Sequence, residues 1–276
     1  MTEGIPFTPG TPCWVDVSTT DPAGSRDFYA GLLGWSYRID PNPDSGHYTY
    51  ALLDDEPVAG LSGAPAERGQ PVVWTLYLTS VNITYTASAV DQLGGRVLYG
   101  PVDIPEQGSM VVAADPTGAA IGFWQPSSSW IFRTHVPGAF CWAELNTSDG
   151  EAADEFFARM FGYRQQQIGD GVTFDYTTWA LGDYTPLGRL LMGPDFPPDT
   201  APHWLPYFAV DPATGTDSAA FRAVHLGGRV RADPFDTGFG RITVIDDPSG
   251  ATFGLIDPSR LVEAETGAAN EDPYDN

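Results

Sequence analysis

Two stretches, 128 residues apart, place an indole, a carboxylate and a short polar side chain at alternate positions: Trp14, Asp16 and Ser18, then Trp142, Glu144 and Asn146. The intervening residues Cys13, Val15 and Val17, and Cys141, Ala143 and Leu145, are all apolar. This alternation reads as a β-strand with an apolar face for packing and an indole–acid–polar face opposite. A carboxyl group among indoles loses hydration, so its pKa rises toward the range in which it exchanges protons near neutrality. One such acid could take a proton from carbon or from a phenol while a neighbour donates to a departing hydroxyl. Dehydration, cyclisation and isomerisation all fall within that chemistry. The competing role for Asp16 and Glu144 is a satisfied polar anchor, bonded to backbone or to an arginine. Asp16 is the preferred base because its shorter side chain is more easily held rigid.

The elements that must position these residues are themselves duplicated. CWVDVSTTD (13–21) and FYAGLLGW (28–35) return as CWAELNTSD (141–149) and FFARMFGY (156–163). DPTGAAIGFWQP (115–126) recurs as DPSGATFGLIDP (247–258), and LGGRV at 93–97 recurs at 226–230, where the offset has drifted to 133. A repeat of this length means two homologous modules. The first spans 9–125 and the second 138–260, joined by a connector (126–137) containing an extended apolar piece. The acidic tail 263–276 has little to bury and is expected to be disordered. In each module a strand leads to a helix capped by Asp21-Pro22 or its copy and ended by glycine. Further strands follow at 48–53 and 58–61; then come a strand at 73–78, a helix around 87–93, and strands at 97–99, 110–114 and 120–124. The order is βαβββ twice per module, an α+β chain.

Composition removes several classes of function. The 276 residues carry 36 acidic against 13 basic side chains, a formal charge of -23. Such a field repels nucleic acid and anionic membranes, so neither is expected as a partner. No apolar run approaches a membrane span, and the N-terminus lacks the basic start and apolar core of a signal peptide, which points to a cytoplasmic protein. Cys13 and Cys141 read as small core hydrophobes on the helix-packing face, away from any chemistry. Gly94-Gly95 follows a helix rather than opening one, so it is no phosphate cradle.

The sequence D-x-x-x-S/A-x-x-F-Y/F-x-x-x-x-G-W/Y, then L-G-G-R-V, then D-P-x-G, resembles the vicinal oxygen chelate superfamily of glyoxalases, bleomycin-resistance proteins and extradiol dioxygenases. That resemblance implies paired βαβββ modules whose curved mixed sheets form open, barrel-like clefts. It also implies metal ligands at three kinds of position, and here these hold Trp14 and Trp142, Trp74 and Trp204, and Gly122 and Gly254. An indole nitrogen keeps its proton and glycine has no side chain, so neither ligates. His47, His135, His203 and His225 read as surface or core residues, since a one-residue offset from a ligand position turns a side chain to the opposite face. The expectation is therefore no metal and no cofactor.

The resemblance turns the indole–acid–polar face toward the cleft. The cleft then gains Trp14, Trp74, Trp142 and Trp204, with Leu76, Leu78 and Phe208 sharing the faces of the second pair of strands. Gly122 and Gly254 remove bulk beside Trp124 and Ile256. Ser18 and Tyr50 are candidate hydrogen-bond donors, and Arg241 could orient an anionic or enolised oxygen. Tyr48 and Tyr176 are repeat-matched, with packing as the competing role. An aromatic slot of this kind suits a flat hydrophobic ligand, although the same indoles could simply fill the core. The expected function is metal-independent acid–base chemistry on a bulky, polyketide-type aromatic small molecule, by a monomer or homodimer. The alternative is a non-catalytic protein that sequesters a planar ligand. A metal-dependent glyoxalase or dioxygenase conflicts with the substituted ligand positions.

Overall fold

A computed structural model describes residues 7–63, 72–172 and 174–261; the acidic tail expected at 263–276 lies outside them. The first half runs β1 (Pro12–Thr19), α1 (Pro22–Leu33), β2 (Ser36–Ile39), β3 (Thr49–Leu53), β4 (Glu56–Gly63), β5 (Trp74–Thr79), α2 (Ile83–Gln92), β6 (Arg96–Ile104), β7 (Gly108–Ala114) and β8 (Ala120–Pro126). The second half repeats it: β9 (Phe140–Thr147), α3 (Gly150–Phe161), β10 (Arg164–Ile168), β11 (Tyr176–Leu181), β12 (Tyr184–Leu191), β13 (His203–Ala209), α4 (Thr216–His225), β14 (Arg229–Thr237), β15 (Gly240–Asp246) and β16 (Thr252–Asp257). The strands β2 and β10 complete the βαβββ unit that the sequence pattern predicts.

Local chemistry sets the helix ends. The Asp21 carboxylate accepts from the Gly24 amide and Pro22 occupies the first helical turn, while Gly34 closes α1 in the left-handed region at φ 78°. Asp149 and Gly162, at φ 75°, do the same for α3. Each half forms one eight-stranded mixed sheet, ordered β2-β3-β4-β1-β5-β8-β7-β6 and β10-β11-β12-β9-β13-β16-β15-β14. The first strand of each half lies at the centre, parallel to one neighbour and antiparallel to the other. The sheets do not close on themselves, so each curved sheet leaves one face open and covers the other with helices.

One apolar core runs through both halves on the helix side. Phe208 from β13 packs on Trp35 and Trp74 of the first half, with ring centroids 5.5 and 5.0 Å apart. Reciprocal hydrogen bonds tie the halves together: Trp35 Nε1 donates to the Gly138 carbonyl, and the Tyr163 hydroxyl donates to the Gly10 carbonyl. Gly10 and Gly138 have φ of 85° and 83°, and a Cβ there would strike Phe161 and the Leu33 carbonyl. Glycine is required at both. No helix among the described residues is long and apolar enough to cross a membrane.

The duplication is imperfect at one buried position. Tyr29 accepts from Trp74 Nε1 (3.1 Å) and donates to Asp247 Oδ2 (2.9 Å). Its repeat partner is Phe157, which meets Trp204 edge-on at 5.5 Å and 89°, much as Tyr29 meets Trp74 at 5.5 Å and 82°. Without the hydroxyl, Trp204 Nε1 and Asp115 Oδ2 are both buried with no hydrogen-bond partner. Burial holds the Asp115 carboxyl above its usual range. We predict that Phe157→Tyr supplies both missing bonds and raises stability by about 1–2 kcal/mol, seen as a higher urea midpoint. Tyr29→Phe should lower the midpoint by a similar amount. A Phe157→Tyr protein no more stable than the parent would refute the pairing.

Candidate functional site

Each central strand carries a bulge that sets what faces the open side. On the β1–β5 ladder Pro12 pairs with Leu78 and Trp14 with Tyr77, leaving Cys13 as the extra residue. Cys141 occupies the same place on β9. The bulge turns both cysteines from the helix side, where simple alternation puts them, toward the cleft cluster. Their thiols lie 3.5 Å from the carbonyls of Tyr77 and Tyr207, and burial pushes both up to about 12, so neither is a nucleophile.

Beyond the bulge, alternation holds. Trp14 Nε1 donates to the Tyr48 hydroxyl at 2.7 Å, and Tyr48 donates to Asp16 Oδ2 at 3.1 Å. The Tyr77 hydroxyl lies 3.3 Å from the same oxygen. In the second half Trp142 Nε1 donates to Tyr176 at 3.1 Å, and Tyr207 donates to Glu144 Oε1 at 2.8 Å. Each carboxyl is clasped by two phenols beneath an indole. Burial pushes Asp16 up to about 7 and Glu144 up to about 6, against the opposing pull of the phenolic hydrogen bonds. All four phenols are held well above their usual range by burial and by the neighbouring acid, so they remain proton donors.

Glycines make the clasp possible. A Cβ on Gly122 or Gly254 would overlap the ring of Tyr77 or Tyr207, and one on Gly60 or Gly188 would overlap the hydroxyl of Tyr48 or Tyr176. Two of these, Gly122 and Gly254, stand where the superfamily resemblance implies a carboxylate ligand.

Several residues expected in the cleft lie elsewhere. Trp74 and Trp204 face the helices: Trp74 packs against Tyr29 and Phe208, and Trp204 against Phe157 and Trp179. Phe208, fully buried, belongs to the same inter-half core. The cleft faces of β5 and β13 instead carry Tyr77 and Tyr207, and His203 shares the latter face. This is a one-residue phase error: on β13 both faces carry bulky side chains, whereas on β5 the apolar face of Trp74, Leu76 and Leu78, opposite Thr75, Tyr77 and Thr79, is the one that packs on the helices. Arg241 sits at α4, held by Asp217 and Asp236 at 2.6 and 2.9 Å, and orients nothing in the cleft. Ser18 bonds to the backbone of Val73 rather than joining the clasp.

Tyr50 and Trp124 do join the first cluster, with Trp14 and Tyr77. The Tyr50 hydroxyl donates to Gln107 Oε1 at 2.6 Å. The connector also contributes, which the sequence reading missed. Trp130 packs 4.9 Å from both Trp14 and Trp124 and donates to the Cys13 carbonyl at 3.0 Å, while Phe132 lies 5.4 Å from Trp14. An aromatic pair in a segment with no strand partner was the available signal. A cavity of about 440 Å³ lies outside this cap, lined by Arg38, Tyr50, Gln107 and Trp130 among others. Trp14, Asp16, Tyr48 and Tyr77 are not among its lining residues.

A metal site of the superfamily kind does not fit these side chains. Among the described residues no group of three or more His, Cys, Asp or Glu side chains is placed to hold an ion. Trp14 and Trp142 are indoles, Gly122 and Gly254 lack a side chain and are covered by tyrosine rings, and Trp74 and Trp204 face the helices.

With the fold and clefts described, the chain belongs to the Glyoxalase/Bleomycin resistance protein/Dioxygenase superfamily, whose profile matches residues 13–123. It is 35% identical over 256 residues to CFP32 of Mycobacterium tuberculosis, named as a glyoxylase, covering 91% of this chain and 95% of that one. It is 34% identical over 279 residues to the anthracycline biosynthesis protein DnrV of Streptomyces peucetius, covering 96% and 99%. In fold it resembles 2,2',3-trihydroxybiphenyl 1,2-dioxygenase of Sphingomonas wittichii, with a TM-score of 0.64, 12% identity and 94% of each chain covered.

The raised carboxyl pKa makes a prediction about stability. Asp16 keeps its proton in the folded state up to about pH 7, whereas its ordinary value is 3.8. Between those values the folded chain binds more protons than the unfolded one, so the contribution of this group falls as pH rises from about 4 to about 7. Asp16→Asn should therefore lose less stability than the parent across that window, measured by urea unfolding at several pH values. Parallel profiles for the two proteins would exclude the shift.

Proposed function

We propose that this protein performs metal-independent acid–base chemistry on a bulky, polyketide-type aromatic small molecule. The observation that carries this reading is the clasp itself, a carboxyl group with raised pKa held between two phenols where metal-using relatives would place a cation. Near neutral pH such a group exists in both protonation states and exchanges a proton with little driving force lost. In its ionised form it removes a proton from a carbon beside a carbonyl, or from a phenol. The protonated carboxyl then returns that proton to a departing hydroxyl, which leaves as water, or to another carbon. Electrons and protons balance within substrate and carboxyl, so dehydration, cyclisation and isomerisation need no oxidant. The phenols steady the carboxylate, and each, having a single proton, turns to a developing enolate only once the carboxyl itself is protonated. Similarity along nearly the whole chain to an anthracycline biosynthesis protein supports an aromatic polyketide substrate.

The second reading, sequestration of a planar ligand, is favoured by the density of aromatic surface around both carboxyls. The two separate on mutation. With a hydroxylated fused-ring ketone as substrate, replacing the carboxyl of the cleft that takes the ligand, by Asp16→Asn in the first half or Glu144→Gln in the second, should reduce turnover at least about 100-fold while affinity changes less than about threefold. Tight binding by the parent with no conversion of any such ketone would end the catalytic reading and leave sequestration.

A further inference from the structure

The two halves are copies, so each serves as a control for the other, and they are finished differently. In the first half the cleft cluster is closed. Gln107, at the tip of the β6–β7 hairpin, is latched to Tyr50 on β3 by a 2.6 Å hydrogen bond. Trp130 covers Trp14 and is itself fixed to the Cys13 carbonyl, and Trp14 is only 3% exposed.

In the second half the repeat positions of Tyr50 and Gln107 are Thr178 and Phe239, which cannot form that bond. Phe239 lies at the tip of the β14–β15 hairpin between Gly238 and Gly240 and is 40% exposed. It rests on Trp142 at 6.1 Å and 18°, nearly parallel, and on Tyr176 at 5.5 Å. Ring contacts are weak and sequence-tolerant beside a hydrogen-bonded latch. Trp142, unlike Trp14, stays partly open.

A second observation lies along the same strand. Trp142, Glu144 and Asn146 share the cleft face of β9. His203 Nδ1 faces the Ala201 carbonyl at 2.9 Å, so that nitrogen carries the proton and Nε2 accepts from Asn146 Nδ2 at 3.4 Å. Burial holds His203 below its usual pKa, which keeps it neutral. Asn146 is 2% exposed, and its Oδ1 is buried with no partner. It is an acceptor that lacks a donor. From Trp142 to Asn146 the strand rises about 13 Å, comparable with three or four fused six-membered rings.

We infer that the second half's cleft, not the first's, takes the ligand: a planar fused-ring molecule stacked on Trp142 beneath the Phe239 flap, with a ring hydroxyl donated to Asn146 Oδ1. Glu144 then lies alongside the ring system, between its two ends. This rests on the aromatic-ligand reading and adds which cleft is used and which substituent is recognised. His203 acts as a positioning residue, because it fixes the Asn146 amide so that oxygen rather than nitrogen meets the ligand.

The test uses 1,2-dihydroxyanthraquinone and unsubstituted anthraquinone as probes at about pH 5, where both are uncharged, followed by calorimetry and by quenching of tryptophan fluorescence. The parent should bind one equivalent of the dihydroxy probe. Trp142→Ala and Phe239→Ser should each weaken binding at least about tenfold. The second replaces an exposed hairpin tip, so a folding defect does not confuse the outcome. Asn146→Ala should weaken the dihydroxy probe about five- to tenfold and leave unsubstituted anthraquinone unchanged, which a purely structural role would not do. Trp130→Ala should leave the first equivalent intact and add a second, as the first cluster opens around the unpartnered Trp124 indole N–H. Binding abolished by Trp130→Ala but insensitive to Trp142→Ala and Phe239→Ser would overturn the assignment while leaving the aromatic-ligand reading standing. Two equivalents on the parent would also overturn it. No binding of either probe to the parent would defeat both.

Discussion

The arrangement depends on a steric vacancy: Gly122 and Gly254 let a tyrosine ring lie flat across the neighbouring strand. Any side chain there would collide with the ring of Tyr77 or Tyr207. With the ring in place, its hydroxyl reaches the carboxyl on the central strand, and a second phenol, over Gly60 or Gly188, completes the hold. The indole nitrogen of Trp14 or Trp142 then has an acceptor in that second phenol. Fill the space at Gly122 or Gly254 and the Tyr77 or Tyr207 hydroxyl loses the carboxyl; fill it at Gly60 or Gly188 and the chain from indole to second phenol to carboxyl is broken. Gly122, Gly254, Trp14 and Trp142, which stand where the superfamily resemblance implies ligands, are thus all part of the clasp's packing.

Much of the fold was legible because duplication repeats its signals. The capped helices and the βαβββ order follow from residue types at fixed spacing. The faces of β1 and β9 beyond the bulge were legible too, since an acid at alternate positions among apolar residues has one sensible orientation. The phase of β5 and β13 was not. In His203–Ala209 both faces carry bulky residues, because one face packs on the inter-half core and the other on the clasp, and in Trp74–Thr79 a single tyrosine between two threonines marks the clasp face. Hydrophobicity alone cannot order two buried faces. The bulges at Cys13 and Cys141 were equally silent, as they arise from the partner strand's register. Trp130 and Phe132 were hidden for another reason, since the contacts they make are set by where the connector crosses, not by local pattern.

Departures from symmetry carry more information than the symmetry does. At Phe157 the lost hydroxyl strands an indole N–H and a carboxylate oxygen in the core, whereas Tyr29 serves both in the other copy. This defect is remote from the clefts and marks drift in a core that tolerates it. The differences around the clefts are of another kind. The latch residues Tyr50 and Gln107, and the cap Trp130, act together on one cluster, and the first two have become Thr178 and Phe239 in the copy. Several coordinated changes at one place indicate that the two clefts no longer do the same thing.

The protein carries a net charge of -23. Within the clasp, loss of hydration disfavours ionisation of the carboxyls and the phenolic hydrogen bonds oppose it. The balance leaves Asp16 and Glu144 near neutrality instead of fully protonated. The field of the net charge disfavours an anionic ligand entering either cleft and favours an uncharged one. For such a ligand, charge appears only when a proton moves. The developing negative charge then lies near phenols whose single protons are released as the carboxyl takes up its own.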